Sequence, residues 1–96
     1  ADSQAALAGK TVIQMGTIAP SESRAIAQQV AAAGGSYLEA PVLGSIPEAQ
    51  AGTLLVMVGS TPAQFQQWQP LLQCFGPAPR LIGPVGTAAA VKLALN

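Results

Sequence analysis

Residues 52–62 read Gly-Thr-Leu-Leu-Val-Met-Val-Gly-Ser-Thr-Pro. Thr53 to Val58 is an uncharged aliphatic run bounded by glycines, the profile of a strand covered on both faces. Thr61 then offers a side-chain oxygen to a helix start, and Pro62 the fixed φ of a first helical position. Strand followed at once by helix is the unit of an α/β layer, and the alternation extends both ways. Upstream, Thr11-Val12-Ile13-Gln14-Met15 is a short β-branched run closed by Gly16. A helix is predicted from Pro20, with Glu22 in its first turn, Ile26 and Val30 four apart, and a stop at Gly34-Gly35. Tyr37 to Val42 reads as one strand with Pro41 near its end, where a missing donor is tolerable. Gly44 to Gly52, with Pro47, is a one-turn helix or a loop. Downstream, Phe65, Trp68, Leu72 and Phe75 recur at three- and four-residue spacing and are expected on one helical stripe facing the core, with Pro70 predicting a kink or a restart. Arg80-Leu81-Ile82 is a brief strand, and Thr87 opens an Ala-rich helix. Ala1 to Gly9, with Asp2-Ser3 as a cap, could be the tail of a further helix.

Strands separated by helices need crossover connections, so the expected architecture is α/β, a mixed, mainly parallel sheet with flanking helices. The exception is the pair around 37–42 and 53–58, whose short link allows an antiparallel neighbour. Ninety-six residues suffice for one small domain. Half are apolar, 8% are charged and the formal net charge is zero, which excludes a basic nucleic-acid surface and the composition of a disordered chain. One cysteine, Cys74, and no histidine exclude an internal disulfide and a Cys/His zinc site, so no metal ligands are assigned. No run approaches the roughly 18 apolar residues of a membrane span. No membrane partner is expected, and a cytoplasmic location is. So few charges on a small surface suggest that part of it meets protein, and both ends of the chain look cut.

Chemistry-bearing residues are sparse. There is no Gly-x-Gly-x-x-Gly after a strand, no phosphate loop and no Ser/His/Asp set. Lys92 stands alone in an apolar helical run; it either snorkels from an amphipathic helix or is placed for proton transfer. Gly83-Pro84-Val85-Gly86 ahead of that helix either presents free amides to an anion or only turns the chain. Thr17 lies at a strand's carboxyl end, where ligands of open α/β sheets bind, and could equally cap the Pro20 helix. Glu39 is either an acid in a cleft or an edge residue facing solvent, and strand alternation favours the second.

Three segments in order carry a resemblance. Gly16-Thr17-Ile18-Ala19-Pro20 is similar to a Ser-Thr-x-x-Pro motif after a strand. Glu39-Ala40-Pro41-Val42-Leu43-Gly44-Ser45, with Ala49, Gly52, Thr53 and Leu54 behind it, is similar to the loop signature Asp-Ala-Pro-Val-Ser-Gly-Gly. Gly83 and Gly86 followed by Lys92 and Asn96 are similar to a Gly-rich turn and the helix after it. Together they resemble the β-hydroxyacid dehydrogenase family, which includes 3-hydroxyisobutyrate dehydrogenase and the glyoxylate and succinic semialdehyde reductases and is related to 6-phosphogluconate dehydrogenase.

The resemblance implies that residues 1–96 are the second half of a Rossmann-like NAD(P)-binding domain, with 87–96 beginning the helix that leads to a helical domain. It implies hydride transfer between NADP or NAD and a small carboxylate-bearing aldehyde or β-hydroxyacid. Lys92 would be the general acid or base, Thr17 would approach the nicotinamide, Leu43 and Gly44 would line the substrate-carboxylate site, and Asn96 would bond substrate one turn beyond Lys92. Leu43 replaces the family's loop serine and Ser45 its second glycine, departures that resemble the glyoxylate or succinic semialdehyde side of the family. The family's Gly-x-Gly-x-x-Gly is absent from these residues, so the chain alone is expected to bind no cofactor and to be inactive. The alternative is a catalytically silent half-domain that acts as a folding or self-association module, and a homo-oligomer is expected.

Overall fold

The computed structural model describes residues 6–44 and 46–95. Thr11–Gln14 forms β1, and Pro20–Ala32 forms α1. The stretch expected as one strand from Tyr37 is divided into β2 (Ser36–Glu39) and β3 (Val42–Leu43). The break falls at Ala40–Pro41, where proline lacks an N–H, although the Pro41 carbonyl still accepts from Met57 N at 3.0 Å. A short helix α2 (Ile46–Ala51) precedes β4 (Leu55–Gly59), and α3 (Pro62–Leu72), β5 (Arg80–Gly83) and α4 (Thr87–Leu95) complete the order.

The sheet is mixed, as the strand–helix alternation and the short 37–58 connection together imply. β1 and β2 run parallel with Gln14 opposite Glu39, and β4 and β5 run parallel with Gly59 opposite Gly83. The two pairs meet antiparallel at Glu39 and Gly59, and β3 continues that antiparallel contact through Val42–Val56 and Leu43–Leu55. Gln14, Glu39, Gly59 and Gly83 therefore form one row across the sheet, at the carboxyl end of every strand except β3. Leu38, Ala40, Val56, Val58 and Leu72 make the buried core, with Ile13, Phe65, Trp68 and Leu81 packed on it.

Two expectations about α3 are corrected. Pro70 does not restart the helix; α3 runs through it and ends two residues later at Leu72, the proline giving up the one N–H that would bond the Gln66 carbonyl. Phe75 consequently lies beyond the helix, 37% exposed, and not on the core stripe. Its backbone is used instead, the carbonyl accepting from Leu54 N at 3.0 Å. Of the expected N-terminal helix, residues 6–9 form turns, with Lys10 N donating to Leu7 O, and residues 1–5 lie outside the described residues.

Candidate functional site

The row at the strand ends holds a side chain with four hydrogen bonds to its carboxylate. Glu39 is 1% exposed, which overturns the expectation that it faces solvent. Alternation presumes one wet face, whereas Tyr37, Leu38, Glu39 and Ala40 are all buried, with α1 packed on β2 and α4 on the adjoining β4. The carboxylate of Glu39 is fully used. Oε2 accepts from Gly86 N at 2.8 Å, Ala88 N at 2.9 Å and Ala89 N at 3.1 Å, and Oε1 accepts from Ser23 Oγ at 2.5 Å.

The three amides belong to the turn before α4 and to its first turn, groups that the helix itself cannot satisfy. The glycine-rich turn 83–86 thus does present free donors to an anion, and the anion is a side chain of the same protein. Because the one Ser23 hydroxyl proton goes to Glu39, the 2.8 Å contact between Ser23 Oγ and Tyr37 Oη must be donated by the phenol. A relay runs from Tyr37 through Ser23 to Glu39. Burial raises the Tyr37 phenol above its ordinary value of 10.0, and the Glu39 charge adds to this.

Two glycines make room for this arrangement. A Cβ on Gly59 would run into the Glu39 carboxylate, with its Cγ at 2.6 Å. Gly86 has φ +102° and lies under the Arg24 side chain, where a Cβ would meet Nη1 at 2.5 Å.

The residues assigned by resemblance lie around this centre. Thr17 is exposed in the loop after β1. It does not cap α1, whose N-cap is Ala19 with Glu22 Oε1 accepting from Ala19 N at 3.1 Å. Leu43 is half-buried in β3 and Gly44 is exposed just after it, four and five residues on from Glu39. Lys92 is half-buried in the last turn of α4, and Asn96 lies outside the described residues. The carboxylate joins the strand leading to Leu43–Gly44 to the helix bearing Lys92. Among the described residues no side-chain hydrogen bond or ion pair links Thr17, Leu43 and Lys92 directly. Ser23, Tyr37 and Glu39 were not assigned roles from sequence. The one available signal was an acid within an otherwise uncharged strand, ahead of Ala-Pro.

Residues 3–86 match the family model described as the NAD binding domain of 6-phosphogluconate dehydrogenase. The chain belongs to this family. It is 41% identical over 91 residues to 2-hydroxy-3-oxopropionate reductase of Escherichia coli, covering 95% of this chain and 31% of that protein. It is 36% identical over 88 residues to mitochondrial 3-hydroxyisobutyrate dehydrogenase of Homo sapiens, covering 92% and 26%. Among solved structures, 3-hydroxyisobutyrate dehydrogenase of Mycobacterium tuberculosis with L-serine superposes with a TM-score of 0.87 at 26% identity, over 92% of this chain and 30% of that one. Psf3 in complex with NADP+ and 2-OPP superposes with a TM-score of 0.84 at 30% identity, over 91% and 31%. The chain therefore spans about a third or less of the length of the relatives it matches. Family membership makes the fold a Rossmann-like, NAD(P)-binding one and its relatives oxidoreductases of small hydroxyacids. Among the described residues no helix is long and apolar enough to cross a membrane, and no group of three acidic, cysteine or histidine residues could hold a metal ion.

Proposed function

We propose that this chain supplies the proton-transfer and substrate-carboxylate elements of an NAD(P)-dependent reductase. Its substrate class is a small carboxylate-bearing aldehyde of the glyoxylate or succinic semialdehyde type, or the β-hydroxyacid in the reverse direction. The observation that carries the proposal is the Glu39 carboxylate, which ties β2 to the amino end of α4 and so couples the Leu43–Gly44 segment to the helix of Lys92. In this reading the Lys92 ammonium donates a proton to the carbonyl oxygen as negative charge develops there, and takes it back in oxidation. Leu43 and Gly44 border the substrate carboxylate, with an apolar side chain in place of a loop hydroxyl.

NAD(P)H supplies the hydride when bound. What fits it here is the exposed end of β1, where the Thr17 hydroxyl is free of any capping duty. The amino end of α4 does not fit a cofactor phosphate, because Glu39 already fills it. The pyrophosphate must be held by residues other than those of the α4 turn.

Replacing Lys92 by alanine in the enzyme that contains this chain should lower turnover by about 100-fold or more, the loss of a positioned general acid. Steady-state kinetics with glyoxylate and succinic semialdehyde measure it, and a variant within a few-fold of the parent would remove Lys92 from the chemistry. A second reading, a self-associating module, is favoured by β1, which among the described residues pairs only with β2 and carries no charge or proline to protect its other edge. Light scattering across a dilution series should then show a homodimer that dissociates; a monomer at high micromolar concentration rejects this reading.

A further inference from the structure

The buried carboxylate takes no direct part in the chemistry above, since it is sealed from solvent and faces a helix end. Its three acceptor bonds converge on a single oxygen from Gly86, Ala88 and Ala89. Three amides around one atom fix both the height of a helix end and its rotation about its axis. Lys92 follows Ala88 by four residues and Ala89 by three, so the three side chains share one face of α4. Ala88 and Ala89 are 0% and 3% exposed, and Lys92 is half-buried on the same face. The rise from Ala89 to Lys92 is about 4.5 Å, too short for slack between the anchor and the lysine. The other oxygen of Glu39 is held by the Ser23 hydroxyl, itself fixed by Tyr37, and Gly59 leaves the space through which the carboxylate passes.

We propose that Glu39 is the positioning residue for Lys92, its carboxylate setting through the first amides of α4 where the ammonium stands. The proposal rests on the reading of Lys92 as proton donor only for its catalytic consequence; the anchoring itself does not.

The test uses isotope-labelled full chain and the variants Glu39→Gln, Glu39→Asp and Tyr37→Phe. Glutamine keeps the size but removes the charge, leaving the amides a neutral carbonyl oxygen and turning the oxygen that faces Ser23 into a donor. In Glu39→Gln, exchange of the Ala88 and Ala89 amides should accelerate by about tenfold or more, as expected for loss of bonds to a charged acceptor. The Lys92 Cε and Nζ resonances should move, while Val56 and Val58 amides keep their protection. Glu39→Asp retains the charge and should restore both signals in part. Unchanged Ala88, Ala89 and Lys92 signals in Glu39→Gln, or an aspartate no better than glutamine, would overturn the proposal. Should Glu39→Gln fail to fold, Tyr37→Phe decides: it keeps the carboxylate and removes only the far end of the relay, and a Lys92 resonance that does not move counts against the anchor. In the enzyme, Glu39→Gln should lower kcat by about tenfold with KM within about twofold, the pattern of a lost transition-state interaction. A Lys92→Ala enzyme that stays active strikes the functional reading, whereas the amide and resonance results judge the anchor separately.

Discussion

Among the described residues, Tyr37 carries a titration whose direction its surroundings determine. Burial keeps its phenol neutral above the ordinary value of 10.0. In the unfolded chain the proton leaves at that ordinary value, so above it the folded state alone retains the proton. Stability contributed by the phenol is present below pH 10.0 and is lost as pH rises through the raised folded value. Denaturant unfolding of the parent and Tyr37→Phe on both sides of that pH should show the parent's advantage shrinking on the alkaline side; a constant difference would contradict the assignment. Gly59 supports a second expectation. Adding a methyl there drives it into the Glu39 side chain, which cannot retreat without giving up its amides, so Gly59→Ala should destabilise the fold by about 1–3 kcal/mol, the usual cost of overpacking. Thermal unfolding measures it. Neither residue was legible from the sequence in this role. The alternation rule that sent Glu39 to solvent holds for a half-wet strand, and β2 is wet on neither face; Gly59 looked only like the end of an aliphatic run.

At the scale of elements the punctuation was more readable. Thr61 and Pro62 mark the start of α3, and the structure has Thr61 Oγ1 accepting from Gln64 N at 3.1 Å while Thr61 N donates to Gln64 Oε1 at 3.0 Å, a reciprocal box. Thr61→Ala should cost about 1 kcal/mol, read as a lowered denaturation midpoint with an unchanged slope. Pro20 likewise opens α1 where the sequence puts it. What the punctuation could not convey is which side of a break a residue falls on. Pro41 was placed near a strand's end and proves to sit between two strands, because its carbonyl still serves β4 while its missing N–H interrupts the ladder. Phe75 has the right spacing for the α3 stripe, but periodicity carries no information about where a helix ends. The candidate site follows the same division: the motif segments were visible as segments, and their joining through a carboxylate was not, since that contact crosses 47–50 residues of chain.

At the scale of the whole molecule, the sheet consists of two parallel pairs that run in opposite directions and meet at Glu39 and Gly59. Each pair is closed by its own helical crossover, α1 between β1 and β2 and α3 between β4 and β5. The bond that locks them, from Glu39 to α4, joins the middle of the chain to its last helix. Loop-closure entropy delays contacts of such separation, and a carboxylate sheds its water only when the amides are there to replace it. The two crossovers are therefore expected to form while the Glu39 clamp is still open, with the clamp closing after the main barrier. Stabilisation gained after the barrier acts on the rate of escape from the native state. Gly59→Ala should accordingly steepen its effect on the unfolding limb of a chevron and leave refolding nearly unchanged; an equal loss on the refolding limb would place the clamp in the nucleus. With a late clamp, the helix of Lys92 is expected to be the last element secured and the first released, so that Glu39 would govern how long the native state lasts more than how fast it is reached.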